Sequence, residues 1–381
     1  MKIVTGILGI TIALSTLSGC QLMDRVNSEG KTVIVYDNVA SQSTMADAEV
    51  AVSQAVQVAL REKVTYGELL KITKDELLIT KENWLYQSNL SNEKTSKITD
   101  LQAKQLSKDG TKVLSVMNNE AIVYNFKTEE SVRIATSTNA VGDITFADPS
   151  GKYITYYDFN TSHYVFVDTE TQEKTTLNYK ELFNLENSSF GSPKMYDGAL
   201  YFSFYNQKEG NAIYRLSLDS KKDLVLSFPH EQDSIWQFEL LNEDILIFNG
   251  VYNNEPGIFL YDIANEEVNK VVSGGRDSEG TWTPSYSVSP DGTKLLFDTI
   301  VYENDEHLNN VYIATLEGNQ LLRSIRIMEK VETPAVIQVL AHWDEDSNAF
   351  YIPMSTNNQP GYSDKEIDFI SIYEIDKIKV E

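Results

Sequence analysis

The stretch Ser287-Val288-Ser289-Pro290-Asp291-Gly292-Thr293-Lys294-Leu295-Leu296-Phe297-Asp298 reads as two short strands joined by a tight turn. Asp291-Gly292 supplies the φ > 0 position that such a turn requires. Pro290 ends the incoming strand where no ladder N–H is needed, and Leu295-Leu296-Phe297 is an apolar run bounded by polar residues. Copies of this hairpin recur along the chain: Ser107-Lys108-Asp109-Gly110-Thr111-Lys112-Val113-Leu114, Asp148-Pro149-Ser150-Gly151-Lys152-Tyr153-Ile154 and Met195-Tyr196-Asp197-Gly198-Ala199-Leu200-Tyr201-Phe202, at spacings of 41 and 47 residues. Weaker copies stand at Lys74-Asp75-Glu76-Leu77-Leu78-Ile79, Asn242-Glu243-Asp244-Ile245-Leu246-Ile247-Phe248 and Glu345-Asp346-Ser347-Asn348-Ala349-Phe350-Tyr351-Ile352.

Each hairpin is followed by a further short strand: Trp84-Leu85-Tyr86, Ile122-Val123-Tyr124, Tyr164 to Asp168, Ile213 to Leu216, Ile258 to Asp262, Val311-Tyr312-Ile313 and Phe369 to Tyr373. A polar turn then leads to one more strand, so every unit holds four antiparallel strands of about 45 residues in total, the range of propeller repeats. Such a unit cannot bury both faces alone, and radial packing around a channel is the solution. The expected fold is therefore all-β, a β-propeller of seven four-stranded blades over 66–381, with six left open because the first unit is short and the last is long. A β-sandwich array or a solenoid is the runner-up. The Ser-Pro-Asp-Gly-Thr-Lys-Leu-Leu-Phe run, residues 289–297, resembles the signature repeat of TolB-type propellers, which are WD40-like in architecture. The resemblance implies the fold and a structural role for the motif residues, and it transfers no catalytic residue.

Ahead of the repeats, Lys2 and the apolar run from Ile3 to Leu14 precede Leu17-Ser18-Gly19-Cys20. A dozen or so apolar residues suit a signal peptide and fall short of the ~20 of a membrane span. The tetrad resembles the bacterial lipobox, which implies a signal peptide over 1–19 and a mature N-terminus at Cys20 carrying acyl chains such as palmitate. Cys20 is the single cysteine of 381 residues. Disulfides are thus excluded within the chain, and stability must come from core burial. Residues 20–31 read as a lipidated tether. Residues 32–65 read as a strand, Thr32 to Tyr36, and a helix from Thr44 to Lys63 whose Val50, Ala51, Gln54, Ala55, Val58 and Ala59 form a stripe packing on the propeller. The strand is expected to close the ring by joining the last blade.

Lys plus Arg number 32 against 56 Asp plus Glu, a formal charge of −24. That argues against a nucleic-acid partner and against adhesion to anionic lipid, so membrane attachment rests on the lipid at Cys20. No Gly-x-Ser-x-Gly elbow, His-Glu-x-x-His or Cys/His cluster is present, so no catalytic residue, metal or cofactor is assigned. His163, His230, His307 and His342 fall in different units at non-equivalent points, unlike the clustered histidines that an oligogalacturonate-type propeller lyase would use. Asp344-Glu345-Asp346 and Glu303 to Glu306 read as solvated turns. Asp277-Ser278-Glu279-Gly280-Thr281-Trp282 is similar to the Asp-box of sialidase propellers with one residue too many between Asp and Gly.

In a four-stranded meander the Asp-Gly turns share one rim, while the second-to-third connections and the blade-to-blade connections share the other. On that second rim Tyr205-Asn206-Gln207, Tyr252-Asn253-Asn254, Tyr302-Glu303-Asn304 and Thr356-Asn357-Asn358-Gln359 repeat a signature, and Trp236, Arg276 and Trp282 lie at or near it. Tyr, Trp, Arg and Asn combine apolar area with polar edges, as binding sites do. The sequence thus points to a membrane-anchored extracytoplasmic lipoprotein. Its propeller is expected to be a non-catalytic binding module for an envelope protein or a glycan, with Tyr205, Asn206, Tyr252, Asn253, Tyr302, Trp236, Arg276 and Trp282 as candidate contacts. The alternative is a polysaccharide-active enzyme, a lyase or hydrolase, on the same scaffold.

Overall fold

In the computed structural model the described residues are 49–60, 63–82, 84–90, 94–117, 120–136, 143–178, 188–191, 193–206, 210–217, 221–277, 280–303, 306–331, 341–355 and 365–378. They form seven antiparallel blades of a β-propeller. Blade 1 comprises Leu69–Ile72, Glu76–Lys81, Trp84–Asn89 and Thr95–Thr99. Blade 2 comprises Ala103–Leu106, Lys112–Met117, Glu120–Asn125 and Glu130–Ala135, and blade 3 Thr145–Phe146, Tyr153–Asp158, His163–Asp168 and Lys174–Asn178. In blade 4 the inner strand comes in two pieces, Ser188–Phe190 and Lys194–Tyr196, both paired with Ala199–Asn206, and Gly210–Ser217 and Lys222–Ser227 complete the sheet. Blade 5 is Ser234–Leu240, Ile245–Tyr252, Glu255–Asp262 and Glu267–Ser273; blade 6 is Tyr286–Val288, Lys294–Glu303, Glu306–Glu317 and Gln320–Val331. Blade 7 takes His342–Trp343, Ala349–Met354 and Phe369–Ile378 from the end of the chain and Glu49–Ala59 from its beginning. The open question between six and seven blades is thereby resolved as seven.

All seven copies of the hairpin motif join the inner strand of a blade to its second strand, as the repeat requires. In blade 6 Asp291 Oδ1 accepts from Ser289 Oγ at 2.6 Å and from the Thr293 N–H at 3.0 Å, while the Lys294 N–H donates to Ser289 Oγ at 3.0 Å. Blade 2 repeats the pattern with Asp109, Thr111, Lys112 and Ser107. The carboxylate occupies the turn's own N–H groups, so four or five consecutive residues suffice to specify it. Adjacent turns also clasp one another: the Asp109 N–H donates to the Pro149 carbonyl at 3.1 Å, and the Asp291 N–H to Ser347 Oγ at 3.0 Å.

The apolar core is a ring of inter-blade seams. Blades 4 and 5 share Ile213, Leu226, Phe228, Leu246, Phe248 and Phe259, and blades 5 and 6 share Ile247, Leu260, Val272, Leu295 and Phe297. In blades 4 to 7 the second and third strands carry a stacked aromatic pair at facing positions: Phe202–Tyr214, Phe248–Phe259, Phe297–Tyr312 and Phe350–Tyr373, with ring centroids 6.1, 5.0, 5.1 and 4.8 Å apart. Cross-strand aromatic pairs of this kind add to the burial term and fix register.

Ring closure follows the expected principle with a different segment. Glu49–Ala59 is a strand, not part of a helix, and pairs antiparallel with Phe369–Ile378 from Glu49↔Ile378 to Ala59↔Phe369. The same segment also contains Val50, Val52, Val56 and Val58, which alternate with period two on either side of a bulge between Gln54 and Val56. β-Branched residues resist helix and favour strand, and the last blade offers an open edge whose N–H and C=O groups need partners. Thr32 to Tyr36, the signal segment and Cys20 lie outside the described residues. Past the closing strand, the Ile367 N–H donates to the Val64 carbonyl and Tyr66 Oη to the Pro353 carbonyl, which guides the chain from blade 7 into blade 1.

Candidate functional site

The topology separates a turn rim, which carries the Asp-Gly hairpins and the third-to-fourth turns, from a loop rim. The loop rim carries the second-to-third and blade-to-blade connections. Tyr205-Asn206, Tyr252-Asn253 and Tyr302 all sit at loop-rim ends of second strands, in blades 4, 5 and 6, where the sequence pattern put them. Their described side chains differ in exposure. Tyr205 is 40% exposed, whereas Asn206 is 5% exposed. Tyr252 turns inward against Phe228, Phe248 and Phe259 at centroid distances of 5.4, 6.0 and 5.7 Å. Burial, and then the charge of Asp233, push its hydroxyl pKa up. For Tyr302 and Arg276 the backbone alone is described, in blade 6 and in the hairpin Gly275–Asp277/Gly280–Trp282. Trp282 is laid over Gly275, where an added Cβ would meet its Nε1 at 2.5 Å. Thr356 to Gln359 lie outside the described residues.

Asp233, which the sequence pattern did not single out, explains the Asn-Asn signature of blade 5. It is 1% exposed. Its two oxygens accept from the Asn253 N–H at 3.0 Å, the Asn254 N–H at 2.9 Å and the His230 N–H at 3.2 Å. Asn253 and Asn254 have φ of 52° and 64°, the conformation of a two-residue hairpin turn that asparagine tolerates. Asn253 Oδ1 lies 3.0 Å from His230 Nε2. The repeated Tyr-Asn signature in this blade is therefore turn chemistry, fixed from beneath by a buried carboxylate.

Among the described side chains, Trp236 is the exposed aromatic of the inner strands. It is 61% exposed, three residues into Ser234–Leu240, which runs from the loop rim toward the turn rim. A bulge between Ile235 and Gln237 displaces it from the ladder. Gly250 opposite makes that bulge possible: an added Cβ there would fall 1.9 Å from the Ser234 carbonyl oxygen. Further along the same strand, Glu239 pairs with Lys108 of blade 2 at 2.5 Å. Blades 2 and 5 are not neighbours in a ring of seven, so this pair crosses the axis near the turn rim. Lys194, on the inner strand of blade 4, is open to solvent although protein surrounds it, and that surrounding depresses its pKa below the ordinary 10.5; Glu239 opposes the shift and Lys108 adds to it. His342, on the inner strand of blade 7, is pushed down to about 4 by burial and by the nearby Lys71 ammonium. From the loop rim inward, this inner strand thus carries an exposed indole and then meets a group of charges dominated by lysine, inside a chain whose net charge is −24.

The histidines are dispersed as the sequence indicated: His163 opens the third strand of blade 3, His230 lies between blades 4 and 5, and His342 belongs to blade 7. Nδ1 of His163 is buried without a hydrogen-bond partner, but among the described residues no three His, Cys, Asp or Glu side chains come together as a metal site would need. For His307 the backbone alone is described, in the third strand of blade 6.

No protein-family model matches the chain, and no curated protein matches it. Among solved structures the fold is similar to that of an oligogalacturonate lyase from Vibrio parahaemolyticus, with a TM-score of 0.57 at 12% identity over 91% of this chain and 97% of that one. It is similar also to an oligogalacturonate lyase in complex with manganese, with a TM-score of 0.53 at 13% identity over 92% of this chain and 98% of that one. At such identity the likeness is one of fold.

Proposed function

We propose that the protein is an extracytoplasmic lipoprotein, anchored through Cys20, whose propeller takes an acidic oligosaccharide into the loop-rim mouth of its channel. The observation that carries this reading is the bulge-displaced, exposed Trp236 on the same inner strand as Glu239, which pairs with Lys108 and faces the charge of Lys194. An indole face stacks on a sugar ring, and an ammonium in a confined space favours a carboxylate. An envelope protein touching Tyr205 is the other partner that the loop rim would admit.

The likeness in fold to oligogalacturonate lyases favours a polysaccharide-active enzyme on this scaffold over a purely non-catalytic binder. Manganese does not fit the described residues, so no step is assigned to it. Elimination across a uronate needs a base for the proton α to the carboxyl; the electron pair forms the new C=C bond as the glycosidic oxygen departs and is protonated. Lys194, with its depressed pKa and its place deeper along the channel, is the residue suited to take that proton.

The test is a panel of acidic and neutral polysaccharides offered to the parent and to Trp236→Ala and Lys194→Met variants, read by intrinsic fluorescence and by ultraviolet absorbance of unsaturated chain ends. Absorbance that grows with the parent and is lost with Lys194→Met establishes the enzyme. Binding without new absorbance, lost with Trp236→Ala, establishes the binding module. An unresponsive parent removes the glycan reading. Anchoring is tested separately: labelling with a palmitate analogue is expected in the parent and absent from Cys20→Ser.

A further inference from the structure

We infer that the seam between blades 1 and 2, on the turn rim away from the channel mouth, is a docking cleft for an arginine-bearing segment of a partner protein. This seam has the smallest apolar cluster among the described residues, Leu101, Ile122 and Tyr124 with Ile98 and Phe126 packed beside them, whereas the seams between blades 3 and 4 and between 4 and 5 bury eight and ten residues. Where packing is thinnest the surface opens into a cleft of about 340 Å³, within the range of small binding pockets. One wall is aromatic: Tyr124 and Phe126 meet edge to face at 5.4 Å and 88°. Among the charged residues of the lining, Glu76 from blade 1, Glu129 from blade 2 and Glu345 from blade 7 stand against a single ammonium, Lys71.

That ammonium is already engaged. Lys71 Nζ lies 3.4 Å from Glu345 and is lodged over Gly110, where a Cβ would come within 2.0 Å of it. Among the described residues neither Glu76 nor Glu129 has an ion-pair partner, and the charge of Glu129 adds to burial in raising the Tyr124 pKa. An apolar, aromatic wall beside two uncompensated carboxylates suits a cation on an apolar stem. Arginine meets both requirements: its methylenes pack on an aromatic wall, and its planar guanidinium donates to two carboxylates at once. A chain of net charge −24 attracts a basic segment toward this face before any contact forms.

The experiment titrates the full-length chain in detergent with an acetylated, amidated Gly-Arg-Gly peptide and with its citrulline counterpart, which keeps the shape and removes the charge. The arginine peptide is expected to bind, and the citrulline peptide not to. Glu76→Gln with Glu129→Gln should weaken binding at least about tenfold. A control of the same charge change at exposed positions elsewhere, Glu173→Gln with Glu317→Gln, should leave it unchanged. Equal binding of the citrulline peptide, equal weakening in the control pair, or no binding of the arginine peptide would each overturn the assignment.

Discussion

The two rims of this propeller are made from the same four-stranded units, yet they are held by different means. On the turn rim the hairpin carboxylates act locally: Asp109, Asp148, Asp291 and Asp346 accept from residues no more than five positions away. On the loop rim the determining contacts are distant in sequence. Asp233 supports a turn some twenty residues ahead, and Gly250 gives way to the backbone of Ser234. Local specification yields repetition, and repetition yields a rim of uniform turns. Long-range specification permits each loop to differ, and there the fold can afford an exposed Trp236.

If that contrast is right, the largest stability loss comes from the loop rim. Gly250→Ala is expected to cost about 4 kcal/mol, because the clash is with backbone that cannot rotate away. A denaturant midpoint unmoved by this change would break the account of the bulge. Next, Asp233→Ala should cost about 3 kcal/mol, since three N–H groups lose a buried acceptor. Asp291→Ala should cost only about 1 kcal/mol, for its carboxylate is half open to water. Reversal of that order in urea unfolding would mean that the turn rim carries the fold. A further effect concerns acid. The folded pKa of His342, about 4, lies below its ordinary 6.5, so the unfolded chain binds the proton first. Its contribution is complete above pH 6.5, declines as pH falls toward 4, and is level below. Between pH 6.5 and 5.5 the loss should be about 1 kcal/mol, and His342→Gln should remove it. Asp291 acts in a separate window: hydrogen bonds from Ser289, Thr293 and Lys294 outweigh burial and hold it well below 3.8, so its stabilising share fades only in stronger acid.

The hairpin repeat was readable because an Asp-Gly turn announces itself within a few residues; the short first unit and the long last one left the count open between six and seven blades, and the assembled ring settles it at seven. The positions of Tyr205, Tyr252 and Trp236 followed from counting strands. The roles of their side chains did not, because exposure depends on what packs behind: Phe228 and Phe259 draw Tyr252 inward, while the bulge beside Gly250 pushes Trp236 out. The segment 49–59 carried two periodicities at once, and the apolar stripe at helical spacing concealed the alternation of its valines. Only the unpaired edge of Phe369–Ile378, at the far end of the chain, selects between them.

By itself, then, the sequence determined what is local: the turn chemistry, the strand alternation and the repeat of about 45 residues, each written in neighbouring residues. Tertiary structure decided which strand closes the ring, which carboxylate lies beneath the Asn253-Asn254 turn, and that Lys108 meets Glu239 across the axis 131 residues away. Those contacts arise only after the ring has closed, when burial obliges strand edges and charges to find partners wherever the fold has brought them.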